Sequence, residues 1–145
     1  MPTDTTTHMT TNSASNPPFA TLQLPATRTV VAPDGSDVRV LLALSGGSMA
    51  HFSLQAGQTS AAVTHRTVEE VWYVVQGQGE MWRKQGGVEQ TVTLAPGICL
   101  TIPLGTHFQF RAAADQGLAA VCVTMPPWPL DPAADEAVLV NGPWA

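Results

Sequence analysis

From residue 19 to residue 125 no stretch of the chain keeps a helical period. Short β-branched and apolar runs alternate with turn clusters instead, at a spacing of roughly 8–12 residues, the pattern of a sandwich or barrel. The runs predict strands over residues 26–31, 38–44, 48–54, 61–66, 70–75, 80–83, 88–94, 99–102, 107–112 and 118–125. The breakers between them are Pro33-Asp34-Gly35, Gly46-Gly47, Gly57, Gly77, Gly86-Gly87, Pro96-Gly97, Pro103 with Gly105, and Asp115 to Gly117. The fold class is therefore all-β, and no internal repeat of fixed period is present.

The texture changes at both ends. Residues 1–18 are rich in Thr, Ser and Asn with almost nothing to bury, and read as a disordered tail that contains His8. Residues 19–125 form the barrel. In residues 126–145, Pro126, Pro127, Pro129 and Pro132 prevent regular pairing, and one short strand is expected over 137–140. Trp128 and Trp144 read as apolar anchors that pin this segment on the barrel, or as a lid over a pocket.

Length and charge narrow the function classes. At 145 residues the chain fits one domain that buries enough surface to need no staples. Cys99 and Cys122 sit in apolar runs without metal-finger spacing, so both read as buried thiols in a reducing, cytoplasmic setting. The net charge is -5 with only six Lys plus Arg, which argues against nucleic acid or an anionic membrane as partner. No apolar stretch reaches membrane length, and the N-terminus lacks the features of a secretory signal.

Three of the four histidines, His51, His65 and His107, fall in predicted strands. Glu70 follows His65 by five residues, and His107 follows a Pro-x-Gly turn. A barrel can bring such strands side by side, so that two imidazoles and one carboxylate converge. That donor set suits a divalent transition metal (Fe, Mn, Ni or Zn) and leaves coordination positions open for chemistry.

Two longer patterns carry a resemblance. Gly57, five residues, Val63-Thr64-His65, four residues, Glu70, six residues, Gly77 is similar to the first motif of the cupin superfamily, Gly, five residues, His-x-His, three or four residues, Glu, six residues, Gly. Gly97, five residues, Pro103-Leu104-Gly105, one residue, His107, three residues, Arg111 resembles the second, Gly, five residues, Pro-x-Gly, two residues, His, three residues, Asn. Val63 replaces the first histidine, the second motif is one residue short before His107, and Arg111 replaces the Asn. Over residues 49–111, and by strand count to 125, the chain resembles small single-domain bacterial cupins of the mannose-6-phosphate-isomerase-like group. The resemblance implies a double-stranded β-helix, or jelly-roll, cupin barrel.

Carried over by position, the resemblance implies His65, Glu70 and His107 as ligands of one metal ion. His51 and Gln109 are candidate further ligands or polar pocket residues. Arg111 and Trp72 are candidates for substrate binding, and no catalytic residue is assigned. The spacing to Gly77 selects Glu70 over Glu69 as the inward carboxylate, in step with Trp72 and Val74. A metal-dependent enzyme acting on a small organic molecule is expected, with oxygenase, isomerase and lyase chemistry open. The alternative is a non-catalytic small-ligand-binding cupin whose metal site is weakened or absent. Cupins commonly dimerise, so a homodimer is expected with residues 22–31 at or near its interface.

Overall fold

The computed structural model describes residues 16–145. Most of the expected N-terminal tail, with His8, lies outside the described residues. Side-chain alternation shows directly in burial: Glu70, Trp72 and Val74 are buried, whereas Glu69, Val71, Tyr73 and Val75 are exposed. Each such strand presents one apolar face, and the molecule closes those faces against one another in two sheets.

In chain order the strands are β1 (Val30–Val31), β2 (Asp37–Leu44), β3 (Gly47–Leu54), β4 (Val63–His65), β5 (Glu69–Gly77), β6 (Gly79–Gln85), β7 (Val88–Leu94), β8 (Cys99–Ile102), β9 (His107–Ala112), β10 (Leu118–Met125) and β11 (Ala137–Leu139). A six-stranded sheet runs β1-β2-β3-β10-β5-β8, and a five-stranded sheet runs β11-β4-β9-β6-β7. All the strand pairings are antiparallel. Neighbours distant in sequence, such as β10 between β3 and β5, mark the jelly-roll connection of the two layers. Trp72, Met81, Leu94, Phe108 and Phe110 fill the space between them.

The strands lie close to the predicted ones, with instructive exceptions. Of residues 26–31 only Val30 and Val31 join the ladder with β2; Thr29 donates its N–H to the Val38 carbonyl and accepts the Val40 N–H on its hydroxyl, and the carbonyls of Pro25 and Ala26 accept hydrogen bonds from the Arg39 guanidinium. Leu22, Leu24, Val30 and Val31 are left exposed along this segment. Cys122 is buried as expected, but Cys99 is exposed, since it stands opposite Tyr73 on the outward face of β8. Among the described residues no helix is long and apolar enough to cross a membrane.

The C-terminal segment returns to the barrel. After a short 3-10 turn, Pro132–Ala134, β11 pairs with β4. The Glu136 carboxylate accepts the backbone N–H groups of Thr67 and Val68 at 2.7 and 2.9 Å and the Thr67 hydroxyl at 2.8 Å. Burial alone would raise its pKa, and these hydrogen bonds outweigh that and hold it below the usual range. Trp144 docks on the outer face of β9, where its ring lies 4.0 Å from the Arg111 guanidinium carbon.

Gly77 shows how closely the chain leading into β10 approaches β5 within the six-stranded sheet. Its φ is +83°, and a Cβ there would collide with the backbone carbonyl of Gly117. Gly86 has φ +56° in a hairpin turn with open space around it. Gly77→Ala should therefore destabilise by on the order of 2–4 kcal/mol, from left-handed strain plus overpacking, and Gly86→Ala by about 1 kcal/mol from the backbone alone. Denaturant unfolding of the two variants checks this, and equal losses would contradict the close approach at Gly77.

Candidate functional site

The inner faces of β2, β3, β4, β5, β9 and β10 surround a cavity of ≈ 260 Å³. Its aromatic wall is Phe52, Trp72, Phe108 and Trp128. Aliphatic side chains of β1 and β2 complete most of the remainder, and no lysine or arginine lines it. The titratable groups that do are Asp34, His65 and Glu70. Trp128 therefore serves as a cover on the cavity while Trp144 serves as an anchor, so the two expectations for the tail divide between its two tryptophans.

Glu70 sits at the centre of the polar part. It is 3% exposed, and Trp72 Nε1 donates to its Oε2 at 2.6 Å. Burial pushes its pKa up to about 7; the Trp72 hydrogen bond opposes the rise, and the neighbouring Asp34 charge adds to it. An indole N–H can only donate, so Oε2 accepts and the proton of the neutral acid belongs on Oε1. Oε1 faces His65 Nδ1 at 3.6 Å, beyond hydrogen-bonding distance.

His65 is 8% exposed, and its Nδ1 has no hydrogen-bond partner. Burial lowers its pKa to about 4, against a smaller opposing pull from Glu136. Phe108 and Trp128 hold the ring edge-on, with centroids 5.2 and 5.0 Å away. At neutral pH the site therefore presents a neutral imidazole and a carboxyl group balanced between its two forms.

The third expected ligand is elsewhere. Val63 and Phe108 are directly paired across β4 and β9, and both are buried in the core. His107, one residue earlier on β9, consequently faces the other side of the sheet, opposite Lys84. Counting two residues from Gly105, as the motif requires, leads to Phe108, so the residue missing from the spacing turned His107 outward. Among the described residues no group of three or more His, Cys, Asp or Glu is placed to hold a metal ion. His65 and Glu70 alone, walled by Val63 and Phe108, do not fit the divalent transition metal that the resemblance implied.

Three other candidates are also placed outside the cavity. His51 stands beside Arg39 on the outer face of the six-stranded sheet, where burial and then the Arg39 charge lower its pKa. Gln109 is buried under the C-terminal segment: its Nε2 donates to the carbonyls of Ser60 and Trp144, and its Oε1 accepts the Trp144 N–H. Arg111 binds Glu80 at 2.8 Å and covers Trp144, so it does not reach Glu70 or the cavity. Gln109 and Arg111 do share the face of His107, but that face is the outer one. Trp72 is the substrate-binding candidate that does line the cavity.

Asp34 was missed. Its place in Pro33-Asp34-Gly35 signals only a turn, and its Oδ1 accepts from the Ser36 N–H and hydroxyl as turn residues do. The structure adds that the turn folds over the barrel mouth. Asp34 is 9% exposed there, and burial raises its pKa despite the Ser36 hydrogen bonds.

Comparison with known proteins agrees with this architecture. The family model for the Cupin domain matches residues 50–124. No curated protein sequence matches the chain. Among solved structures, KdgF from Halomonas sp. is similar at 18% identity and TM-score 0.56, covering 68% of this chain and 85% of that one. Pac13, described as a unique nucleoside dehydratase, is similar at 16% identity and TM-score 0.58, covering 74% and 80%. The Staphylococcus aureus capsular polysaccharide assembling protein CapF is similar at 16% identity and TM-score 0.62; 77% of this chain is covered but only 33% of that one. At these identities the likeness speaks for the fold.

Two outcomes follow from the geometry. Wild-type protein incubated with Fe(II), Mn(II), Ni(II) or Zn(II) and then desalted should retain well under one ion per chain. Val63→His with Phe108→His, which sets two imidazoles beside His65 and Glu70, should gain at least about tenfold in Zn(II) affinity. Elemental analysis and a competitive chelator titration read both, and a full ion bound by the wild type would overturn the assignment of Phe108 to the ligand position.

A third outcome concerns pH. The folded chain keeps the Glu70 proton between its ordinary value of 4.5 and about 7, so that contribution is complete below pH 4.5 and is lost as pH rises through 7. His65 acts oppositely, with stability lost as pH falls from its ordinary 6.5 towards about 4. Glu70→Gln removes the first effect only. Its stability relative to wild type should rise by about 2–3 kcal/mol between pH 5 and pH 8. Parallel stability curves for the two proteins would refute the raised Glu70 value.

Proposed function

The chain belongs to the cupin family, and on that premise we propose that its barrel carries out a metal-independent proton transfer on a small organic molecule. One observation carries the reading. A buried carboxyl with its acidic oxygen turned to the cavity faces a neutral imidazole nitrogen, and among the described residues that nitrogen has no partner and no group of three donors is placed to hold a metal.

The chemistry balances within this pair. Glu70 Oε1 gives its proton to an oxygen of the bound molecule, while His65 Nδ1 accepts a proton released from a neighbouring carbon. A shift of a double bond or loss of water results, which is isomerase or lyase chemistry. The enzyme is left with a carboxylate and an imidazolium across a gap of 3.6 Å. Return of that proton to Glu70 restores the neutral pair, and the pKa order of about 7 over about 4 favours the return. Of the fold relatives, Pac13 is described as a dehydratase, a reaction of the same class. The apolar walls exclude water and keep both groups from being levelled by solvent.

A second reading is that the cavity holds a small ligand and turns nothing over. Its support is that Trp128 closes against His65, which suits retention as well as reaction. The test is incubation of chelator-treated protein in D2O with a panel of small carbonyl and β-hydroxy carbonyl compounds. Wild type should introduce deuterium into at least one of them or dehydrate it, and Glu70→Gln should lower that rate by at least about 100-fold while binding persists. Binding without exchange favours the second reading. Activity that returns only with added metal overturns the first.

A further inference from the structure

All six cationic side chains of the chain lie away from the cavity. Arg28 pairs with Asp37, Arg66 with Asp135, and Arg111 with Glu80. Arg39 binds the carbonyls of Pro25 and Ala26, Arg83 binds that of Thr101, and Lys84 stands opposite Glu89 on the hairpin of β6 and β7. Inside, two carboxyl groups, Asp34 and Glu70, face the cavity with no positive partner. An anionic ligand would enter a site with no counter-charge and two acids. Burial of an unpaired charge is costly, so such a ligand is rejected.

The remaining wall is aromatic. Trp128, Phe108, Trp72 and Phe52 line the same space, and the π faces of such rings attract cations. His65 adds a buried nitrogen that has no partner among the described residues. Carboxyls, aromatic rings and a neutral acceptor, with every cation held outside, complement one class of ligand.

We propose that the cavity binds a small organic cation: a protonated amine on an apolar body, its charge directed to Glu70 and Asp34 and its body packed against Trp128 and Phe108. This names the ligand class for the cavity and rests on the reading of that cavity as the binding site. An amine hydrogen can also reach the unpartnered His65 nitrogen, which a quaternary ammonium cannot.

The test uses the full chain and three near-isosteric probes: benzylamine, benzyl alcohol and benzoate, titrated by calorimetry at pH 7.5. Benzylamine should bind at least about tenfold more tightly than benzyl alcohol, and benzoate more weakly than either. Glu70→Gln, which keeps an acceptor for Trp72, should reduce the preference for benzylamine over benzyl alcohol to less than about threefold. Equal affinity for amine and alcohol, or a preference for benzoate, overturns the cation inference and leaves the cavity reading in place. If none of the three binds or perturbs the tryptophan fluorescence, to which Trp72 and Trp128 of the cavity contribute, both are overturned.

Discussion

The carboxyl group of Glu70 is enclosed by apolar side chains and has no cationic partner, and much of the site is arranged around that fact. Its one strong hydrogen bond within the protein comes from Trp72, two residues along the same strand and on the same face. That bond fixes which oxygen accepts and which is turned to the cavity. It also orients the Trp72 ring, which stacks on Phe52 and meets Phe110 edge-on, so the core packing and the acid are set by one contact. A buried charge without a partner is disfavoured by far more than a neutral acid, and the group answers by holding its proton to about pH 7.

The other determinant is the register of β9. Pro103 and Gly105 shape the turn before it, with Gly105 at φ +82°. One residue fewer after that turn than the motif contains exchanges the two faces of the strand. Phe108 and Phe110 point into the barrel, and His107, Gln109 and Arg111 point out, where the C-terminal segment covers Gln109 and Arg111. In a structure with period two, a one-residue slip moves the whole set of side chains at once. The loss of His107 as a metal donor and the binding of the C-terminus are therefore two results of the same register, whereas the donor missing at Val63 is a substitution on β4.

Much of this was legible in the sequence. Ten of the eleven expected strands match or needed only small adjustments of their ends, because period-two alternation and glycine turns are local signals. Glu70, Trp72 and His65 were placed inward correctly, since their motif keeps its spacing. His107 was not, because the resemblance favoured a residue type where the spacing favoured a position, and in a strand the position decides the face. His51 shares that lesson: its partner across the ladder is Arg39, and no local pattern identifies which sheet face is the outer one. Asp34 and Trp128 belong to the site through tertiary return of a turn and a proline-rich segment, information that no short window contains.

Val63 and Phe108 are best understood together. They are cross-strand partners, so a histidine at either position alone would stand against an apolar neighbour and remain incompletely solvated. With both apolar, the His65 ring gains an edge-on contact with Phe108 and loses its stabilised charge, which fits its pKa of about 4. The same two residues that remove metal donors thus make the imidazole a neutral acceptor and dry the space around Glu70. A metal would hold both groups deprotonated and occupied. Its replacement by hydrocarbon leaves one group carrying a proton and the other able to take one, and that difference in protonation is what the cavity offers to a ligand.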